Sequence, residues 1–265
     1  MRRIVVVATA LAVLVTAASA YAAAGGFNTY TASLKFSPNK AGSGKAPSAV
    51  GFTQTYVAGG TGGNRTAPLT DIKTKIYGLV ANNGKSFPTC TLAKIQAAKS
   101  DAGCPKGALV ATGSITALLG PVSDPSSSNS SVLPCNPLLH AWNGGQGKVV
   151  FFFVDQAPNH LCAGGAIPTG AVAPFQGTVK NVGKTLVMDT PIPTYVSFPL
   201  NGVEGSLTSE TLHWLKVSKK VGGKTVSEEA SVGCKSGKRP YSVTFTASMN
   251  GQSQSDTVSG TQKCS

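Results

Sequence analysis

Period-two alternation of apolar and polar residues dominates this chain. Residues 28–36 put Tyr30, Ala32, Leu34 and Phe36 on one side and mostly polar residues on the other, the mark of a half-buried strand. The signal returns over residues 50–57 (Phe52, Tyr56) and, less cleanly, over residues 71–80 (Ile72, Ile76, Val80). Residues 109–119, 194–200, 212–217, 241–249 and 257–263 read as further strands, and residues 175–187 as a hairpin turning at Asn181-Val182-Gly183-Lys184. Residues 148–155 differ: Val149-Val150-Phe151-Phe152-Phe153-Val154 is apolar on both faces, which predicts a central strand covered on both sides. One segment has helical spacing. Leu92, Ile95 and Ala98 follow a capping Thr91 and predict a short helix within residues 91–100. Gly/Pro-rich turns at residues 37–47 and 59–64, and a Ser/Asp/Pro/Asn loop at residues 123–131, separate the strands. With no repeat of fixed period, the pattern predicts a mainly β fold: an antiparallel β-sandwich with one short helix between Cys90 and Cys104.

The first residues follow another logic. Met1-Arg2-Arg3 precedes an apolar run from Ile4 to Val15, and small residues follow through Ala22. This is the layout of a cleavable secretory signal, with cleavage after Ala20 or Ala22, and the run is too short to span a bilayer. The expected organisation is a signal peptide, residues 1–22, and a disulfide-stabilised domain, residues 23–265, built as one unit or two subdomains. The first cysteine is Cys90, so none stands at the cleavage site to carry a lipid. The expected product is extracellular or wall-associated, without a transmembrane anchor.

Six cysteines in an exported chain are expected to form three disulfides. Fifteen pairings exist; the sequential one, Cys90–Cys104, Cys135–Cys162 and Cys234–Cys264, is expected because every loop is then local. Zinc would need closely spaced cysteine pairs, and no two here lie nearer than 14 positions.

A net charge of +13, or +11 once Arg2 and Arg3 leave with the signal, favours anionic partners such as wall polymers. Apart from Arg65 and Arg239 the remaining cations are lysines, which attract polyanions diffusely and lack the bidentate fork of specific nucleic-acid readout. The candidate polyanion patch comprises Lys216, Lys219, Lys220, Lys224, Lys235, Lys238 and Arg239; ordinary solvated surface lysines are the plainer reading.

Chemical motifs are scarce. Gly177-x5-Gly183-Lys184-Thr185 and Ser218-x4-Gly223-Lys224-Thr225 imitate a phosphate loop, but each departs from its spacing or first glycine and falls at a hairpin turn. There is no Gly-x-Ser-x-Gly, and His140, His160 and His213 are too far apart in sequence for a local metal motif. Neither a catalytic nor a cofactor site is expected. Asp155 and Glu210 are the acids best placed for a carboxylate pair. Trp142, beside Asn143-Gly144-Gly145, is expected in a loop, exposed for sugar stacking or packed against the Cys135–Cys162 loop; Trp214 alternates with Leu212 and reads as core.

Phe87-Pro88-Thr89-Cys90, Cys104-Pro105-Lys106-Gly107-Ala108 and Gly113-Ser114 resemble the P-x-C … C-P-x-G-[SA] signature of secreted, functionally uncharacterised actinobacterial proteins. Ser33-Leu34-Lys35-Phe36-Ser37-Pro38 and Gly233-Cys234 fit the same resemblance. It implies a β-rich exported domain and carries no activity. The expected function is therefore a non-catalytic envelope or extracellular role in structure or interaction. A carbohydrate-binding module using Trp142 and an unrecognised hydrolase using Asp155 or Glu210 are the alternatives.

Overall fold

A computed structural model describes residues 26–82, 86–155, 158–162, 167–168 and 170–265; the expected signal peptide lies outside these. The chain is mainly β and every strand pairing is antiparallel. In chain order the strands are β1 (Asn28–Ser37), β2 (Ser48–Ala49), β3 (Gly51–Gly60), β4 (Leu69–Tyr77) and β5 (Leu79–Ala81). The helix α1 (Leu92–Ala98) precedes β6 (Leu109–Pro121), β7 (Leu133–Cys135), β8 (Leu138–Gly145), β9 (Lys148–Val154), β10 (Phe175–Val182) and β11 (Thr185–Pro191). A one-turn helix, α2 (Thr194–Ser197), leads to β12 (Val203–Trp214), β13 (Ser218–Val221), β14 (Lys224–Ser227), β15 (Glu229–Ser231), β16 (Lys238–Met249) and β17 (Gln252–Lys263).

One sheet runs β1-β3-β12-β6-β8-β9-β10-β11-β4-β16-β17, with β7 also paired to β6. It rolls until its edge strands meet, so the two expected layers are opposite walls of one sheet enclosing a common core. An antiparallel path of eleven strands leaves its two edges running in the same direction, so β1 and β17 cannot continue the alternation. Side chains and chain ends seal this seam instead. Gln254 donates through Nε2 to the Asn28 carbonyl (2.8 Å) and accepts the Asn28 N–H on Oε1 (2.9 Å). Further along, the Asn39 side chain donates to the Lys263 carbonyl, and Ser265 N–H donates to Asn39 O (3.0 Å).

Alternation explains the core. Along β1, Tyr30, Ala32, Leu34 and Phe36 face inward. On β9 the inward set is Val149, Phe151 and Phe153; Val150 and Phe152 point outward, where α1, Ile95 and Cys90 cover them. The run of six apolar residues is thus a strand buried on both faces, as expected. Thr91 caps α1 by accepting from Lys94 N–H (3.3 Å). Seven residues make a marginal helix in isolation; the Cys90–Cys104 bridge and fully buried Ile95 hold it on the wall.

The three disulfides join the expected pairs, Cys90–Cys104, Cys135–Cys162 and Cys234–Cys264, and no free cysteine is left. They fit an oxidising, extracellular environment. No helix among the described residues is long and apolar enough to cross a membrane.

Two expectations change. Residues 194–200, read as a strand, hold α2, because Pro193 and Pro199 bracket the segment and withhold the N–H groups a sheet needs. Of residues 212–217, only 212–214 are strand, the end of β12, which begins at Val203, and 215–217 lie outside any strand. Connections alternate between the ends of the rolled sheet. One end is capped by a small sheet, β2-β15-β5, and flanked by the β13–β14 hairpin. Gly78 makes the first of these connections possible: its φ is +73°, and a Cβ there would overlap the Gly233 carbonyl. The opposite end, the mouth, is crossed by α2 and by the segment carrying Leu161 and Cys162.

Candidate functional site

Inside the mouth end the core is incompletely filled. A cavity of about 110 Å³ is walled by apolar side chains including Ile115, Leu119, Phe153, Leu161, Ile167 and Leu207. A second space of about 40 Å³ lies deeper, against Gln54, Tyr56, Thr74 and Trp214. The two share Ile72, Phe175, Ile192 and one acid, Glu210.

Local irregularity turns Glu210 inward. Strict alternation on β12 would put Leu207, Ser209, Thr211 and His213 on one face. A bulge between Leu207 and Ser209 shifts the phase, so Leu207 lines the cavity and Glu210, Leu212 and Trp214 also face the interior. The indole of Trp214 can only donate, and it donates to Gln54 Oε1 (3.1 Å). That contact orients the Gln54 amide, whose Nε2 donates to Glu210 Oε1 (2.6 Å). Tyr56 and Thr74 pair through their hydroxyls at 2.7 Å beside them. Burial pushes the Glu210 carboxyl from its ordinary 4.5 up to about 6, although the Gln54 hydrogen bond pulls the other way. Burial and the Glu210 charge push the Tyr56 phenol up as well.

A stability consequence follows. Folded Glu210 keeps its proton to higher pH than the unfolded chain does, so its contribution is most favourable below about pH 4.5 and declines as the pH rises towards about 6. By neutral pH the cost is about 2 kcal/mol. In urea titrations Glu210→Gln should be more stable than the parent by about that amount at pH 7 and indistinguishable from it at pH 4. Equal stability at pH 7 would refute this account.

The remaining candidates are dispersed. Asp155 follows β9 on the mouth side and does not line either space. Burial and the Gln54 contact account for the Glu210 shift, with no carboxylate neighbour among its causes. Two acids do meet on the outer wall: burial first, and then Asp189, raise Asp71 to about 6, while Lys73 holds Asp189 at 3.0 Å. Neither lines either of the two interior spaces.

Trp142 is corrected from loop to strand. It lies on β8, is 6 % exposed, packs with Cys90 and Ile95 rather than against the Cys135–Cys162 loop, and donates to Asp101 Oδ2 (3.1 Å). The same oxygen pairs with Nδ1 of His140 (2.6 Å). His160 donates to the Pro158 carbonyl, and His213 pairs with Thr53 on the outer wall. No three metal-ligating side chains converge among the described residues. Both phosphate-loop look-alikes are hairpin turns, β10 to β11 and β13 to β14, as expected.

Arg239 leaves the candidate patch. It is fully buried, stacks on Phe36 (4.4 Å) and donates to Ser231 Oγ (2.5 Å). Arg65 is buried too, tying down the 121–126 loop through the carbonyls of Pro121, Asp124 and Ser126.

Sequence reasoning missed Gln54 and Asp101. Gln54 carried a readable signal, being the polar residue in the inward register of Phe52, Tyr56 and Ala58. Compared with protein-family models, with curated proteins and with solved structures, the chain finds no match.

Proposed function

We propose that this is an exported, non-catalytic binding protein that holds a compact, mostly apolar molecule inside the rolled sheet, its hydroxyl or amino group turned towards Glu210. The observation that carries this reading is an apolar cavity of about 110 Å³ lined by a single carboxyl group. Only together with the adjoining space of about 40 Å³, which shares Ile72, Phe175, Ile192 and Glu210, does it reach about 150 Å³, the size at which apolar cavities admit benzene-sized guests, and small-molecule sites pair apolar walls with few polar anchors. The sugar-stacking alternative has no exposed indole at Trp142 to support it. The hydrolase alternative lacks a second carboxylate beside Glu210 among the described residues.

The test is a set of benzene-sized probes followed by NMR chemical-shift titration. Benzyl alcohol and benzylamine should bind and shift resonances of Phe153, Phe175 and Leu119. Benzoate should bind at least tenfold more weakly, because its charge would face Glu210. Ala117→Leu, which narrows the cavity, should weaken benzyl alcohol at least fivefold. Undisturbed affinity in that variant, or no binding by any probe, would end the proposal.

A further inference from the structure

The lysines are sorted along the axis of the rolled sheet. Although exposed Lys99, at the end of α1, lies beside Gly170, no lysine is carried by the mouth-end connections themselves, residues 61–68, 122–137, 155–174, 192–202 and 250–251. Their charged side chains are Arg65, Asp124 and Asp155, and Arg65 is buried. The mouth instead exposes apolar groups: Val122, Leu133, Tyr195, Phe198 and Leu200. The connections at the other end carry Lys40, Lys45 and Lys184, and the long segment between β12 and β16 adds Lys216, Lys219, Lys220, Lys224 and Lys235, all exposed.

The acids on the capped-end connections do not offset them. Glu228 and Glu229 are buried, and Asp101 is occupied by His140 and Trp142. Burial and the neighbouring Glu228 charge also push Glu229 well up, which favours its neutral form. Lys73, mid-strand on the wall, pairs with Asp189.

We propose that the capped end docks on a linear phosphodiester polymer without bases, leaving the cavity mouth facing away. Separate ammonium groups on hairpin tips and loops meet successive phosphates as point charges, and both described arginines, whose forks would grip carboxylate or phosphate alike, are buried. Bases would need aromatic platforms. Among the described residues the exposed aromatics, Tyr195 and Phe198, are at the mouth, and Phe87 at the capped end is buried beneath Lys219 (5.3 Å). This docking does not depend on what fills the cavity.

The test measures binding of the full protein to glycerol-phosphate polymer, oligo-dT of matched charge, hyaluronate and vesicles containing phosphatidylglycerol, at 50 and 200 mM salt. The glycerol-phosphate polymer should bind tightest, with affinity falling at least tenfold between the two salt concentrations as counterions are released. Reversing Lys216, Lys219, Lys220 and Lys224 to Glu should weaken it at least fivefold with Tm unchanged; if that variant is unstable, the four Lys→Gln changes should give at least a threefold loss. A maleimide-reactive thiol at Ser218→Cys on the hairpin should be protected by polymer, and one at Ser130→Cys near the mouth should not. Tighter binding to any other probe, a smaller loss in the folded lysine variant, or protection at Ser130→Cys would overturn the proposal.

Discussion

Phe245→Ala should lower the unfolding free energy by about 3–5 kcal/mol, the range for truncating a fully buried phenyl ring. The ring is 1 % exposed on β16 and stacks on Tyr30 of β1 (4.5 Å, 5° between planes), while Tyr56 of β3 meets it edge-on at 5.2 Å. It therefore bridges the seam where no backbone ladder connects the strands. Phe245→Leu keeps most of the buried surface and should cost only about 1–1.5 kcal/mol. Urea denaturation followed by tryptophan fluorescence separates the two variants. A loss below about 1 kcal/mol for the alanine variant would mean that the seam is held by other groups.

Replacing both Cys135 and Cys162 by Ser should cost about 3–4 kcal/mol, because the bridge closes a loop with a sequence separation of 27. The position matters as much as the loop. Cys135 and Leu161 both line the cavity, so the bridge fixes part of the mouth wall to β7. The double variant should therefore lose stability and also exchange small apolar probes faster. Equilibrium unfolding that shifts by less than about 1 kcal/mol would show that packing alone holds this wall.

Legibility in the sequence followed burial geometry. β1 and β16 could be read because one face is buried and the other wet, which writes alternation directly into the residues. β8 could not: Leu139 and Ala141 face the core while Trp142 is covered from outside by the α1 clamp, so Leu138-Leu139-His140-Ala141-Trp142 shows no clean period. The 194–200 segment contains Thr, Tyr, Val and Phe, all good strand formers, and its flanking prolines overruled them. Glu210 was recognisable as an acid near a tryptophan, yet its inward direction depends on a bulge that no local pattern announces. The lysine content was plain from composition. Its absence from the mouth-end connections needed the order of the strands.

That order also governs how the chain must fold. β3 pairs with β12, as in Thr55 opposite Thr211, and β4 pairs with β16, as in Ile76 opposite Tyr241. A chain appearing from its N-terminus therefore holds β3 and β4 with open edges until its last third arrives. High contact order of this kind belongs to domains that assemble in milliseconds to seconds rather than microseconds. Truncation anywhere before β16 should leave no smaller version of the fold, only a chain still waiting for its partners.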